Sequence, residues 1–98
     1  MPTYITLVNF QDGGMHSAVG LPSSWEDVRK TVESVGGTAE IYLTTGRYDS
    51  VVVTTFPSDN IAAKVLLGLQ SHDSVSTYLK AYSEAEYRVL AKGTPHQA

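Results

Sequence analysis

From Thr3 to Phe10 apolar and polar side chains alternate, with Ile5 and Leu7 on one side and Tyr4, Thr6, Val8 and Phe10 on the other. A period of two marks a β-strand, here with two useful faces. Gln11 to Gly20 is polar and carries three glycines, which reads as a loop. Ser23-x-x-Glu26 has the spacing of a capping box at a helix start. Leu21, Trp25, Val28, Val32 and Val35 then recur at steps of three and four, so they share one helical stripe. Gly36-Gly37 stops that helix, one of the pair being expected at positive φ. Residues 38–44 alternate again, with Ile41 and Leu43 on one face and Glu40, Tyr42 and Thr44 on the other. Thr45-Gly46-Arg47 turns the chain into residues 48–56, the segment richest in β-branched side chains and therefore expected at the centre of a sheet.

Pro57-Ser58-Asp59 opens a second helix. Ile61, Ala62, Val65, Leu66, Leu67 and Leu69 make it apolar on more than one side. It is therefore expected to meet the sheet and a further surface, either the C-terminal segment or a partner subunit. Residues 74–82 form a fourth strand, with Lys80 suited to a sheet edge. Ser83-x-x-Glu86 is a second capping box and starts a short helix that runs to about Lys92. The order β-α-β-β-α-β is a doubled βαβ unit. It predicts an α+β, ferredoxin-like fold: a four-stranded antiparallel sheet, two helices on one face and a short C-terminal helix. One domain is expected over residues 1–92, with a flexible tail over 93–98.

Two faces follow from the alternation. Ile5, Leu7, Ile41, Leu43, Val51, Val53 and Leu79 are expected beneath the helices. Tyr4, Thr6, Val8, Tyr42, Thr44, Val52, Thr54, Tyr78 and Tyr82 are expected on the face left open. An open face this apolar and aromatic marks an interface. The favoured occupant is a second copy stacked sheet on sheet, with Tyr4, Thr6, Val8, Val52 and Tyr78 in or near the contact. Base stacking on nucleic acid, a small-molecule surface and an ordinary solvated face are the competing readings.

Charge weighs against nucleic acid. The chain has seven Lys and Arg against ten Asp and Glu, a net charge of −3 and a pI near 5.4, and its basic residues are scattered singly. No apolar run approaches the ~20 residues of a membrane span, and the N-terminus has no basic segment leading into an apolar one. The expectation is a cytoplasmic protein of bacterial style, with no membrane and no nucleic-acid partner. Cysteine is absent, which excludes disulfides, thiolate metal sites and cysteine nucleophiles. His16, His72 and His96 lack the spacing of a metal site, and no P-loop, dinucleotide fingerprint or G-x-S-x-G elbow is present. Nothing calls for a metal or a cofactor.

Gly46-Arg47-Tyr48-Asp49 followed by Val51-Val52-Val53 resembles the signature after which the GYD domain family is named. Met1-Pro2-Thr3-Tyr4-Ile5 is similar to that family's opening strand, and Gly36-Gly37 with Ile41-Tyr42-Leu43-Thr44 to its second. The resemblance implies a dimeric α/β barrel, ferredoxin-like domains whose sheets face each other, and it specifies no reaction. A similar turn occurs in the effector domains of Lrp/AsnC-type regulators, which bind small ligands between dimers.

Asn9, His16, Tyr48 and Asp49 are the candidate ligand-binding residues. Asn9 is a weak strand former placed near a strand end, and His16 lies in the glycine-bearing loop. Tyr48 and Asp49 come from the signature turn. Asp49 has two readings, a hydrogen bond that fixes the turn and a carboxylate at a pocket mouth. Two functions stay open. One is a stand-alone, homo-oligomeric module that binds a small organic molecule. The other is a cofactor-free barrel enzyme of monooxygenase, cyclase or isomerase type.

Overall fold

The computed structural model describes residues 1–10, 21–69 and 74–93. Along the chain run β1 (Thr3–Phe10), α1 (Leu21–Ser34), β2 (Thr38–Leu43), β3 (Ser50–Thr55), α2 (Asp59–Gly68), β4 (Ser74–Ala81) and α3 (Glu84–Gly93). The strands form one open sheet in the order β2-β3-β1-β4, every neighbouring pair antiparallel. β3 is interior, as its β-branched content implies, and Lys80 lies on the edge strand β4. The loop expected over 11–20, with His16, falls outside the described residues, as do His72 and the tail from residue 94.

Local chemistry accounts for three of the helix ends. Ser58 is the N-cap of α2, its Oγ accepting the Ile61 N–H at 3.2 Å. Ser83 and Glu86 form the reciprocal capping box of α3: the Ser83 N–H donates to Glu86 Oε1 at 2.9 Å and the Glu86 N–H to Ser83 Oγ at 3.1 Å. The first expected box does not operate in that way. α1 begins at Leu21, so Ser23 stands inside the helix rather than at its cap. Gly36 ends α1 with φ +87°. Gly37 is needed for a different reason: a Cβ there would collide with the Thr55 carbonyl oxygen and lie 2.9 Å from Val32 Cγ1.

The register decides which face the helices cover. Thr6 stands between Val52 and Tyr78, Tyr4 between Thr54 and Lys80, Ile5 between Val53 and Leu79. The fully buried core is Val32 of α1, Phe56 just after β3 and Ala62 of α2, and Tyr4, Val28, Val35, Ala39, Ile61, Val65, Leu66 and Leu69 pack around it. Tyr4 and Ala39 therefore lie under the helices, and Thr6, Ser50 and Thr54 are buried with them. The Tyr4 ring meets Phe56 edge-on at 6.1 Å, and Thr54 Oγ1 donates to the Tyr4 carbonyl at 3.3 Å.

This corrects the assignment of faces for three strands. Tyr4, Thr6, Val8, Val52, Thr54 and Tyr78, expected on the open face, are on the covered one. Ile5, Leu7, Val51, Val53 and Leu79, expected under the helices, are on the outer one. β2 follows the expectation: Ile41 pairs with Val52 on the helix side, and Tyr42 pairs with Val51 on the outside. The physical reason is that both faces of these strands carry apolar side chains, so a period of two separates the faces without saying which one α1 and α2 cover. α2 is apolar on two sides, as expected, and its Leu67 remains 68% exposed.

Gly37→Ala and Gly46→Ala separate the two uses of glycine. Gly37→Ala meets backbone and should cost more than ~2 kcal/mol. Gly46 has φ +117° and open space around it, so Gly46→Ala should cost only about 1 kcal/mol of backbone strain. Urea denaturation of both variants checks this, and equal midpoints would refute the close approach at Gly37.

Candidate functional site

One end of the sheet is built from the end of β1 and the connection between β2 and β3. The Asp49 N–H donates to the Val8 carbonyl at 2.9 Å, and the Thr44 N–H donates to the Asp49 carbonyl at 3.0 Å. Thr44 Oγ1 donates to the Tyr48 carbonyl at 2.6 Å. The turn expected at Thr45-Gly46-Arg47 is thus part of a wider connection, and the strand expected from residue 48 begins at Ser50. β2 stops at Leu43 and β3 starts at Ser50, because the backbone of Asp49 reaches across to β1 while Thr44 holds the other side. Gly46 supplies the positive φ that lets the chain reverse. Arg47 lies 5.8 Å from the centroid of the Tyr48 ring, and Tyr48 itself is half-buried. Asn9 is half-buried on β1 one residue beyond Val8, paired with Val75 of β4. Asn9, Tyr48 and Asp49 therefore belong to the same end of the sheet, which the backbone bond from Asp49 to Val8 closes.

At the opposite end, about 13 Å along β1 for four residues of strand, the structure assembles a group that sequence reasoning missed. The Tyr4 hydroxyl donates to Asp59 Oδ1 at 2.6 Å, and Lys80 Nζ donates to Asp59 Oδ2 at 2.9 Å. Lys80 Nζ also lies 5.4 Å from the centroid of the Tyr82 ring. Asp59 opens α2, where a negative charge suits the helix dipole. The hydrogen bond from Tyr4 and then that from Lys80 hold the Asp59 carboxyl below the usual carboxylate range. The same bonds raise Tyr4 and Lys80 above their ordinary values. At neutral pH the group is a carboxylate held by a phenol and an ammonium. It pins α2 to both β1 and β4. No sequence spacing signals it, because Tyr4 and Asp59 are 55 positions apart.

The residues expected at a sheet–sheet contact, Tyr4, Thr6, Val8, Val52 and Tyr78, stand in register on the helix-covered face. The opposite face carries Ile5, Leu7, Val51 and Val53 across its middle. Val75 and Leu79 on β4 are 55% and 46% exposed, and Tyr42 on β2 is 51% exposed. Among the described residues no group of three or more His, Asp or Glu could share a metal ion, and no helix is long and apolar enough to cross a membrane.

The model of the GYD domain matches residues 4–91, a span that takes in both sheet ends and the Gly46–Asp49 turn. The chain belongs to the GYD domain family. Among solved structures, the crystal structure of TTHA0845 from Thermus thermophilus is similar to this GYD domain with a TM-score of 0.54. It is 17% identical, and the match covers 85% of this chain and 95% of that one, so the likeness is one of fold. No curated protein matches the sequence.

The Asp59 group makes stability depend on pH at both extremes. The folded-state pKa of Asp59 is depressed, so its contribution is whole above the unfolded carboxylate value near ~4 and is lost as pH falls through the folded one. Those of Tyr4 and Lys80 are raised, so their contributions are whole below about 10 and are lost as pH rises through the folded values. In Asp59→Asn, thermal midpoints should fall less between pH 7 and pH 3, and less between pH 9 and pH 11, than in the unmodified chain. Parallel curves for the two proteins would refute the coupling.

Proposed function

We propose that this GYD domain is a cytoplasmic homo-oligomeric module of ferredoxin-like fold. Two copies stack the outer faces of their sheets as a dimeric α/β barrel, and the Asn9–Tyr48–Asp49 end takes a small organic molecule. The observation that carries the reading is the outer face itself. Ile5, Leu7, Val51, Val53, Val75 and Leu79 form a contiguous aliphatic field that α1 and α2 leave uncovered. Only Val32, Phe56 and Ala62 are fully buried apolar residues among those described, a small core for a chain of 98 residues. Completing the burial of half-covered Ile, Leu and Val side chains is worth about 1 kcal/mol each, on the order of 10 kcal/mol for two facing sheets. Association costs an estimated 4–15 kcal/mol, so the two terms are of the same size.

The ligand end is supported by backbone proximity: the Asp49 N–H reaches the Val8 carbonyl beside Asn9, and Tyr48 precedes Asp49 in the turn, so residues with an amide, a ring and a carboxylate belong to one end of the sheet, the mixture a small-molecule site uses. The same three residues serve the second reading, a cofactor-free enzyme with Asp49 as its placed carboxylate. Turnover distinguishes the two.

Sedimentation should give a dimer, or a multiple of dimers, at micromolar concentration. Leu79→Lys, on an edge strand and outward, should weaken that dimer at least tenfold while leaving the circular dichroism spectrum unchanged. A clean monomer for the unmodified chain would overturn the assembly. A metabolite screen by thermal shift tests the ligand end. Any ligand found there should lose at least tenfold in affinity in Asp49→Asn with the fold intact, and an unchanged affinity would remove Asp49 from the site.

A further inference from the structure

α3 has the least tertiary support of any helix in the domain. None of its residues is buried. Ala91 is half-buried and the rest of the helix is exposed, Tyr87 at 64% and Val89 at 71%. The core of Val32, Phe56 and Ala62 has no residue of α3 among those packed around it. The clamp of Tyr4, Asp59 and Lys80 joins α2 to β1 and β4 and does not include α3. The last pairing of β4 with β1 is at Ala81, so the sheet ends before the helix begins.

The bonds that fasten the start of α3 lie within the segment itself. The Ser83 N–H donates to Glu86 Oε1, the Glu86 N–H donates to Ser83 Oγ, and the Tyr87 N–H donates to the Ser83 carbonyl at 2.8 Å. Arg88 Nη2 donates to Glu84 Oε1 at 3.0 Å. A ten-residue helix is marginal in water, so these local bonds decide whether it forms. An N-cap hydroxyl is worth about fivefold in a helix's folding constant, and an exposed i,i+4 ion pair about twofold. The Ser83–Glu86 box is therefore the stronger fastening.

We infer that α3 is a latched segment: it opens and closes as a unit of its own while the sheet, α1 and α2 stay folded, and the Ser83–Glu86 box is the latch. Units of this kind open with free energies well below that of the whole domain, and few buried contacts are what marks them. The latch also responds to acid. The Ser83 N–H, and then the Ser83 hydroxyl, hold the Glu86 carboxyl below its usual range. The amino group of Met1 and Lys80 of β4 are the charged groups of other elements that bear on it, and both act in the same direction. The Glu86 contribution is therefore whole above the unfolded carboxylate value near ~4.3 and is lost as pH falls through the folded one.

Hydrogen exchange of the full chain, read amide by amide across sub-denaturing urea concentrations, tests the inference. The amides of residues 88–92 have their helical partners within α3. They are expected to exchange as one group, almost independently of urea, and at least tenfold faster than those of Val52 and Val53 in β3. Exchange at Val52 and Val53 should accelerate with urea, because it needs the whole protomer to open. Ser83→Ala should speed residues 88–92 about fivefold and leave Val52 and Val53 within twofold. Glu86→Gln keeps an acceptor of similar reach without its titration. Between pH 6 and pH 3 its α3 Cα shifts should drift toward coil values at most half as far as in the unmodified chain. Residues 88–92 that respond to urea in step with Val52 and Val53 would overturn the separate unit. Unchanged exchange in Ser83→Ala would overturn the latch, and equal drift in the two proteins would overturn its response to acid.

Discussion

Two helices can close onto one face of a four-stranded sheet only if that face lets them near. Here the approach is limited by Gly37, where the chain leaving α1 passes so close to the end of β3 that a single Cβ would strike the Thr55 carbonyl. Thr6, Ser50 and Thr54 are buried without a large side chain among them, and Phe56 fills the space left between the helices. Tyr4 turns its edge to Phe56 and passes its hydroxyl out to Asp59 at the helix rim. Ile5, Leu7, Val51 and Val53 lie on the side away from the helices. The surface proposed for assembly is therefore the complement of the surface that makes the protomer.

Periodicity along single strands was legible, and relations between strands were not. The alternation of β1, β3 and β4 is as the sequence implies, yet the faces of those strands are reversed, because a period of two says which residues share a side and not what covers it. β2 fits the expectation while its neighbours do not, which amounts to a one-residue error in the register between β2 and the rest. Ile41 pairs with Val52, not with Val51 or Val53. Hydrophobicity alone points aliphatic residues inward. A threonine is also at home inside where its hydroxyl finds a carbonyl, as Thr54 does at Tyr4.

The same division runs through the candidate sites. The Gly46–Asp49 turn was legible because its residues are consecutive and its glycine has a backbone reason to be there. Its closeness to Asn9 was a matter of strand pairing, and the bond from the Asp49 N–H to Val8 decides it. The Tyr4–Asp59–Lys80 group had no local signature at all: its members come from β1, the first turn of α2 and β4. In sequence, Asp59 reads as an ordinary first-turn acid and Lys80 as an ordinary edge-strand lysine, and both descriptions are true. The antiparallel register that sets Tyr4 opposite Lys80 converts them into a clamp between layers.

α3 completes this logic from the other direction. Elements held by tertiary packing can tolerate poor local chemistry, and α1 does: it has no acidic residue in its first turn and no basic one in its last, and Val32 anchors it in the core. α3 has the reverse endowment, with a closed capping box, dipole-matched charges at both ends and an ion pair along its side, but no buried residue. Local stabilisation of that kind holds a helix whose own side chains lend it little tertiary support, since a ten-residue helix is marginal in water without it.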